Sequence, residues 1–260
     1  MKIFTDNMIS KAKAKWIKSL EQRKKRVEDN VFVAEGPKLV GELLSRFQPV
    51  YICALPQWAE ENRRHIAPEV QCDTVSQDEL ERTSLQRHPQ SVIAVFPITE
   101  EPIPEGLAEK ELCLALDGVQ DPGNLGTILR IADWFGIRHV ICSHDTVDVY
   151  NPKTVQATMG ALARVKVHYT DLEEFVSRCN APVYGTLLDG KNIYQEEITS
   201  TGVIVMGNEG NGISTGLKQF VNRRLYIPNY PIGSDTTESL NVAVATAIVC
   251  AEFRRREQQA

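Results

Sequence analysis

With 260 residues, 42% of them hydrophobic and 24% charged, the chain has the composition of a soluble globular protein and the length for one large domain or two ordinary ones. A net charge of −5 argues against a protein that coats nucleic acid without selectivity. The N-terminus MKIFTDNMIS has no apolar core of signal-peptide length, and the longest weakly polar stretch, Leu240 to Phe253, is too short to cross a bilayer and holds Asn241, so a cytoplasmic protein with no membrane partner is expected.

The charge is concentrated at one end. Residues 1 to 26 hold nine Lys and Arg, from Lys2 to Arg26, against Asp6 and Glu21, so this segment carries +7 and the remainder −12. A helix with Ile9, Trp16, Ile17 and Leu20 facing inward would turn most of those cations outward, either as a footprint for phosphates or simply as a solvated basic face. VFVAEG (Val31 to Gly36) then reads as a strand with a glycine stop, and Pro37 starts a helix through Leu44. Strand-like VYICAL, a helix near Trp58 to Arg64, strand-like VQCDTV, a short helix from Gln77 and the strand SVIAVF complete a small α/β domain over residues 1–98. TEEPIPEGLAEK (Thr99 to Lys110) lacks apolar periodicity and is expected to be an interdomain linker, leaving a second domain over residues 111–260.

From Glu111 the alternation of strand and helix restarts. ELCLALDGV is an apolar strand ending at Asp117 and Gly118, followed by QDPGNLGTILRIADWFGI, whose Ile128, Leu129, Ile131, Ala132 and Phe135 supply a helical stripe. Arg130 lies one to two turns past the loop residues Asn124 and Gly126, near an expected helix start that the macrodipole makes unfavourable for a cation; such local mismatches often mark function. HVIC, RVKVHY, PVYGTLL, VIVM and RLYIP are further strands, with helices over Lys153 to Ala163, Leu172 to Cys179 and Thr215 to Asn222 between them. A last helix capped by Glu238 or Ser239 is apolar nearly all round in its early turns and basic at its end, so it either crosses the domain core or packs in a subunit interface. The six cysteines form no C-x-x-C pair and the five histidines no ligand-like spacing, so reduced, mostly buried thiols and no metal are expected.

Val203 to Gly212, VIVMGNEGNG, organises the second domain. Four apolar residues suited to a buried parallel strand run into glycines, two Asn and one charge, Glu209, which puts a tight polar loop at a strand's carboxyl end, where α/β sheets bind ligands. The glycines read G-x-x-G-x-G, which is not a dinucleotide fingerprint, and no Lys-Ser/Thr follows to make a phosphate loop.

Two other polar loops stand at strand ends, DPGNLG and the stretch from Ile227 through Ser239, Leu240 and Asn241. In order and spacing, N-x-G-x-x-x-R (Asn124, Gly126, Arg130), M-G-N-E-G (Met206 to Gly210) and I-P (Ile227, Pro228) with S-L-N-V-A-V-A (Ser239 to Ala245) resemble the three motifs of the SpoU, or TrmH, class of RNA ribose 2′-O-methyltransferases. F-V-A-E-G (Phe32 to Gly36) and the segment after it resemble the small ribosomal-protein-like RNA-binding domain that often precedes the catalytic one. The resemblance implies a parallel sheet tied in a trefoil knot, a homodimer, and knot loops that hold S-adenosylmethionine through Gly207, Ile227 and Leu240, with Thr186 and Leu187 as weaker candidates. It implies an RNA substrate, ribosomal ahead of transfer RNA, and Arg130, Asn124, Glu209, Ser239 and Asn241 in catalysis. An arginine is hard to deprotonate, so Arg130 suits stabilisation of the developing alkoxide and of a neighbouring phosphate, with Glu209 or a phosphate oxygen as proton acceptor. NYPIGSDTTE, between Pro228 and Ser239, is longer than the family pattern. Two rivals stay open: an RNA-binding protein of the same fold without activity, and a nucleotide-dependent enzyme of doubly wound type.

Overall fold

The structure is a computed structural model that describes residues 4–5, 9–231, 234, 237 and 239–257. It forms two compact units, Met1–Thr99 with Asp148–Arg164, and Glu100–Val147 with Val165–Ala260.

In the first unit, strand β1 (Phe4–Thr5) is followed by helices α1 (Lys11–Ser19) and α2 (Arg23–Asp29), strand β2 (Val31–Glu35), helix α3 (Pro37–Leu44), β3 (Tyr51–Ala54), α4 (Pro56–Asn62), β4 (Gln71–Thr74), α5 (Gln77–Thr83) and β5 (Val92–Pro97). The sheet order is β1-β4-β3-β5-β2, with β5 antiparallel to both its neighbours. Strands β2 and β3 are buried along their whole length, as expected of apolar runs that receive helices, and Val33, Tyr51, Ile93 and Val95 meet Ile17 and Leu20 in one core.

The basic N-terminal segment differs from the single outward-facing helix expected. The helix breaks after Ser19, and Arg26, rather than facing solvent, is 2% exposed. Its Nη1 donates to the carbonyls of Leu20 (2.7 Å) and Glu21 (2.8 Å), and its Nη2 pairs with Asp148 at 2.6 Å. Those carbonyls stand where a helix end leaves acceptors unsatisfied, so a buried guanidinium both stops α1 and carries its charge to a carboxylate that lies 122 positions further on.

The second unit contains α6 (Leu107–Lys110), β6 (Leu112–Asp117), α7 (Pro122–Trp134), β7 (His139–Cys142), β8 (Lys166–Tyr169), α9 (Leu172–Ser177), β9 (Val183–Asn192), β10 (Gly202–Gly207), α10 (Thr215–Lys218), β11 (Arg223–Tyr226) and α11 (Val242–Glu257), while α8 (Pro152–Thr158) belongs to the first unit. Its six strands, in the order β11-β9-β10-β6-β7-β8, pair in parallel throughout. Within 99–110, Leu107 and Ala108 are buried and join the core of this unit. Five of the six cysteines are buried and Cys179 is half-buried, all as free thiols.

Chain order reverses at the middle of the sheet. From β6 the chain runs outward through β7 and β8, then returns to the other side through β9 and β10, so β6 and β10 are neighbours with Asp117 opposite Gly207. The carboxyl ends at such a switch point leave a crevice between diverging loops. Both glycine-rich loops start there.

On the far side of this sheet, His139 and His168 are buried and stack 5.2 Å apart at 10°. The Glu101 carbonyl, 3.1 Å from His168 Nδ1, can only accept, so His168 carries its proton there and receives a hydrogen bond from His139 Nδ1 at 3.0 Å. Burial holds both pKa values below the ordinary His value of 6.5. The unfolded chain therefore binds protons that the folded one refuses, and stability is full above about pH 6.5 and falls as the pH drops through that value toward the folded pKa. Thermal melts should show a plateau between about pH 7 and 8 and a decline towards about pH 5 that is reduced in His168→Gln; the same decline in that variant would remove the pair as its cause.

Candidate active site

Helix α7 starts with Asp121, whose Oδ1 accepts from the Asn124 backbone N at 2.7 Å, and with Pro122 in the first turn. DPGNLG is therefore mostly the first turns of the helix. Arg130 consequently sits well inside a helix of 13 residues, beyond the first turn in which the macrodipole acts, and the local mismatch expected from the sequence does not arise. Arg130 is exposed and makes no ion pair with a described residue.

The loop after β10 is closed by its own asparagine. Asn208 and Gly212 exchange backbone hydrogen bonds of 3.0 and 2.9 Å, Asn208 Oδ1 accepts from the N–H groups of Gly210 (2.8 Å) and Asn211 (3.1 Å), and its Nδ2 donates to the Gly118 carbonyl at 2.7 Å. Gly207 is required by this fold-back, since a Cβ there would meet Gly212 C at 2.2 Å and Ile213 N at 2.3 Å. Asp117 Oδ2 adds a bond of 2.6 Å from Ser214 N, and Ser143 Oγ accepts from Gly118 N at 2.9 Å. Glu209 is left exposed at the tip.

Three separate motifs meet at Asn124. Its Nδ2 donates to Glu209 Oε1 at 2.6 Å, across 85 positions, and its Oδ1 accepts from Asn241 Nδ2 at 3.0 Å, across 117. Asn241 in turn caps α11, its Oδ1 accepting from Ala243 N (3.0 Å) and Val244 N (3.3 Å). That cap falls two residues later than Ser239; Glu238 lies outside the described residues. The chain Asn241–Asn124–Glu209 fixes which way each amide faces, because a carboxylate only accepts and so holds the Asn124 NH₂ towards it. With one oxygen held by Asn124, Glu209 keeps a second oxygen for an incoming donor.

The remaining sequence-predicted residues are spread around this chain. Ser239 and Leu240 are exposed just ahead of Asn241, and Ile227 is half-buried past the end of β11. Thr186 is half-buried with its hydroxyl 3.8 Å from Met206 Sδ, and Leu187 packs on the core beside it. Of the long stretch 229–238, residues 229–231, 234 and 237 are described, and Asn229 Nδ2 donates to the Ser234 carbonyl at 2.9 Å. Among the described residues, the backbone groups of Ile227 and Leu240 make no hydrogen bond, which leaves donors and acceptors free at the mouths of two of the three loops. Sequence reasoning gave no individual role to Asp117, Asp121 or Asn208, and did not single out Ser143. Asp121 had a legible signal, an Asp directly before Pro at a helix start.

Residues 111–251 match the family described as SpoU rRNA Methylase, and residues 11–94 match the MRM3-like substrate binding domain. The chain is 34% identical over 248 residues to the 23S rRNA (guanosine(2553)-2′-O)-methyltransferase RlmP of Bacillus subtilis (strain 168), covering 93% of this chain and 96% of that protein. Among solved structures it superposes on a TrmH-family protein from Porphyromonas gingivalis with a TM-score of 0.86 at 40% identity, over 96% of this chain and all (100%) of the other. It superposes on an AdoMet-bound rRNA methyltransferase from Sinorhizobium meliloti with a TM-score of 0.85 at 29% identity, over 98% of each chain.

Proposed function

Because the chain belongs to the SpoU rRNA methylase family, we propose that it transfers the methyl group of S-adenosylmethionine to a ribose 2′-hydroxyl of ribosomal RNA. The observation that carries this reading is the Asn241–Asn124–Glu209 chain, which joins one residue from each of the three motifs in a single hydrogen-bonded line at the sheet's switch point.

The residues present fit the cofactor. An adenosyl group needs apolar contact with a few backbone donors and acceptors, and the unused backbone groups of Ile227 and Leu240, with the exposed Leu240 side chain, supply that set. When bound, the cofactor supplies a methyl group already activated by its sulfonium. The protein's task is therefore to place a ribose hydroxyl in line and to favour loss of its proton. The free oxygen of Glu209, or an RNA phosphate oxygen, accepts that proton, and Asn124, held from both sides, keeps Glu209 in place. Arg130 offers its planar fork to the developing alkoxide and to the adjacent phosphate. Ser239 lies two residues from Asn241, within reach of a ribose hydroxyl held there.

Residues 1–98, with Asp148–Arg164 packed into the same unit, act as the RNA-docking domain, 99–110 as the connection and the rest of 111–260 as the catalytic domain, in keeping with the +7 of residues 1–26 and the substrate-binding match. The same family likeness implies a knotted chain path, and a ribosomal RNA substrate is compatible with a cytoplasmic site of action. The likeness also implies a homodimer. On the catalytic unit, Trp134 at the end of α7 is 85% exposed and Val244 at the start of α11, which packs on α7, is 50% exposed, so each of the two helices presents an apolar side chain that a second copy could cover. Light scattering at micromolar protein should give the mass of two chains; a single-chain mass would contradict the dimer.

The reaction is tested by incubating the full chain with methyl-labelled S-adenosylmethionine and ribosomal RNA in excess chelator. Label should pass to the RNA, since a sulfonium needs no Lewis acid.

A further inference from the structure

Glu35, the acid of F-V-A-E-G, is 4% exposed although its strand belongs to the unit with the basic N-terminus. A carboxylate is rarely buried without a set of donors. It has two: Ser84 Oγ donates to Oε2, and Leu85 N donates to Oε1 at 2.8 Å. A carboxylate has about four acceptor sites, so two remain.

Glu35 lines a pocket of about 350 Å³ inside the first unit. Val33, Leu85, Pro152 and Ala157 supply apolar walls, and Glu35 shares the polar edge with Gln86, Gln156 and Lys153. Gln86 Nε2 donates to Gln156 Oε1 at 2.7 Å, which leaves Gln86 Oε1 as an acceptor and Gln156 Nε2 as a donor. The edge therefore offers acceptors from Glu35 and Gln86, a donor from Gln156, and the Lys153 ammonium. Apolar walls around a narrow polar edge suit a flat heteroaromatic ring, and unpaired RNA bases are read this way by their Watson–Crick edges. Guanine presents two adjacent donor groups, N1–H and N2–H₂, next to one carbonyl acceptor, whereas adenine presents a single donor group there.

We propose that this pocket binds one unpaired guanine of the substrate RNA, Glu35 accepting from N1–H and N2–H₂ and Gln156 donating to the carbonyl oxygen, with Lys153 available to the neighbouring phosphate. It rests on the reading of the chain as an RNA enzyme and adds a substrate-selecting site that uses no residue of the three catalytic motifs.

Fluorescence anisotropy with the full chain tests it, using a short single-stranded uridine oligoribonucleotide with one central guanosine, the same oligonucleotide with adenosine or inosine there, and GMP as competitor. The wild type should bind the guanosine form about tenfold or more tightly than the adenosine form, with inosine, which lacks the N2 amine, in between. Ala157→Phe places a ring in the pocket and should erase the preference while leaving S-adenosylmethionine affinity unchanged. Glu35→Gln should erase it as well, and if that variant does not fold, Ala157→Phe decides. Equal binding of the three oligonucleotides by the wild type, or a preference that survives Ala157→Phe, would overturn the proposal and leave Glu35 as an anchor for Ser84 and Leu85. Displacement by GMP as tight as by RNA would also overturn it, in favour of a free-nucleotide site. Methyl transfer with flat oligonucleotide binding would sink only the pocket; guanosine preference without transfer would support the pocket and sink only the enzymatic reading.

Discussion

Arg130→Lys is expected to lower single-turnover methyl transfer by roughly two to three orders of magnitude, the scale of losing one preorganised donor to a developing oxyanion. The substitution keeps the charge and replaces a planar fork with a point charge on a flexible stem, so it separates geometry from net charge. The structure sharpens the test. Arg130 is exposed, lies inside α7 and makes no ion pair with a described residue, so its replacement should leave folding unchanged, within about 0.5 kcal/mol. Cofactor affinity should also hold, because the loops proposed to hold the cofactor follow β10 and β11. Near-normal turnover would return Arg130 to the solvated surface and leave Glu209 to activate the hydroxyl.

Gly207→Ala should act by a different route with a comparable effect. The added Cβ would stand 2.2 Å from Gly212 C and 2.6 Å from its carbonyl oxygen, and these neighbours are backbone atoms that the Asn208–Gly212 hydrogen bonds hold in place. Relief requires the loop to open, at about 2–3 kcal/mol for overpacking of a rigid site. If that falls on the bound state, S-adenosylmethionine affinity drops about 30- to 150-fold. If it falls on folding, the melting temperature drops instead. Calorimetric titration and a melt of the same sample read both, and wild-type values in both would show that the loop is looser than its hydrogen bonds imply.

The two central strand positions were legible because LCLALD and GVIVMG are apolar runs that end in Asp and Gly and share one burial pattern. The three loops were legible for the same reason: polar residues and glycines at strand ends stand out against such runs. What joins them was not. Asn124, Glu209 and Asn241 are 85 and 117 positions apart, and only the reversal of strand order at β6 and β10 brings their loops together. Arg26 was misread because its partners lie in a turn and at Asp148, neither of which leaves a periodic signal, so a cation in a basic run looked like one more surface charge. Segment Asp148–Arg164 joins the first unit for a reason equally hidden, since α8 packs on β2, over a hundred positions earlier in the chain.

The most direct measurement is nucleoside analysis of ribosomal RNA after a single turnover with methyl-labelled S-adenosylmethionine. In the proposed reaction the group that meets the free Glu209 oxygen and the Arg130 fork is a ribose hydroxyl. All label should therefore appear in one 2′-O-methyl nucleoside, and Glu209→Gln should reduce that same product without moving the label elsewhere. Label on a base, or no transfer to RNA by a protein that binds the cofactor, would contradict the account.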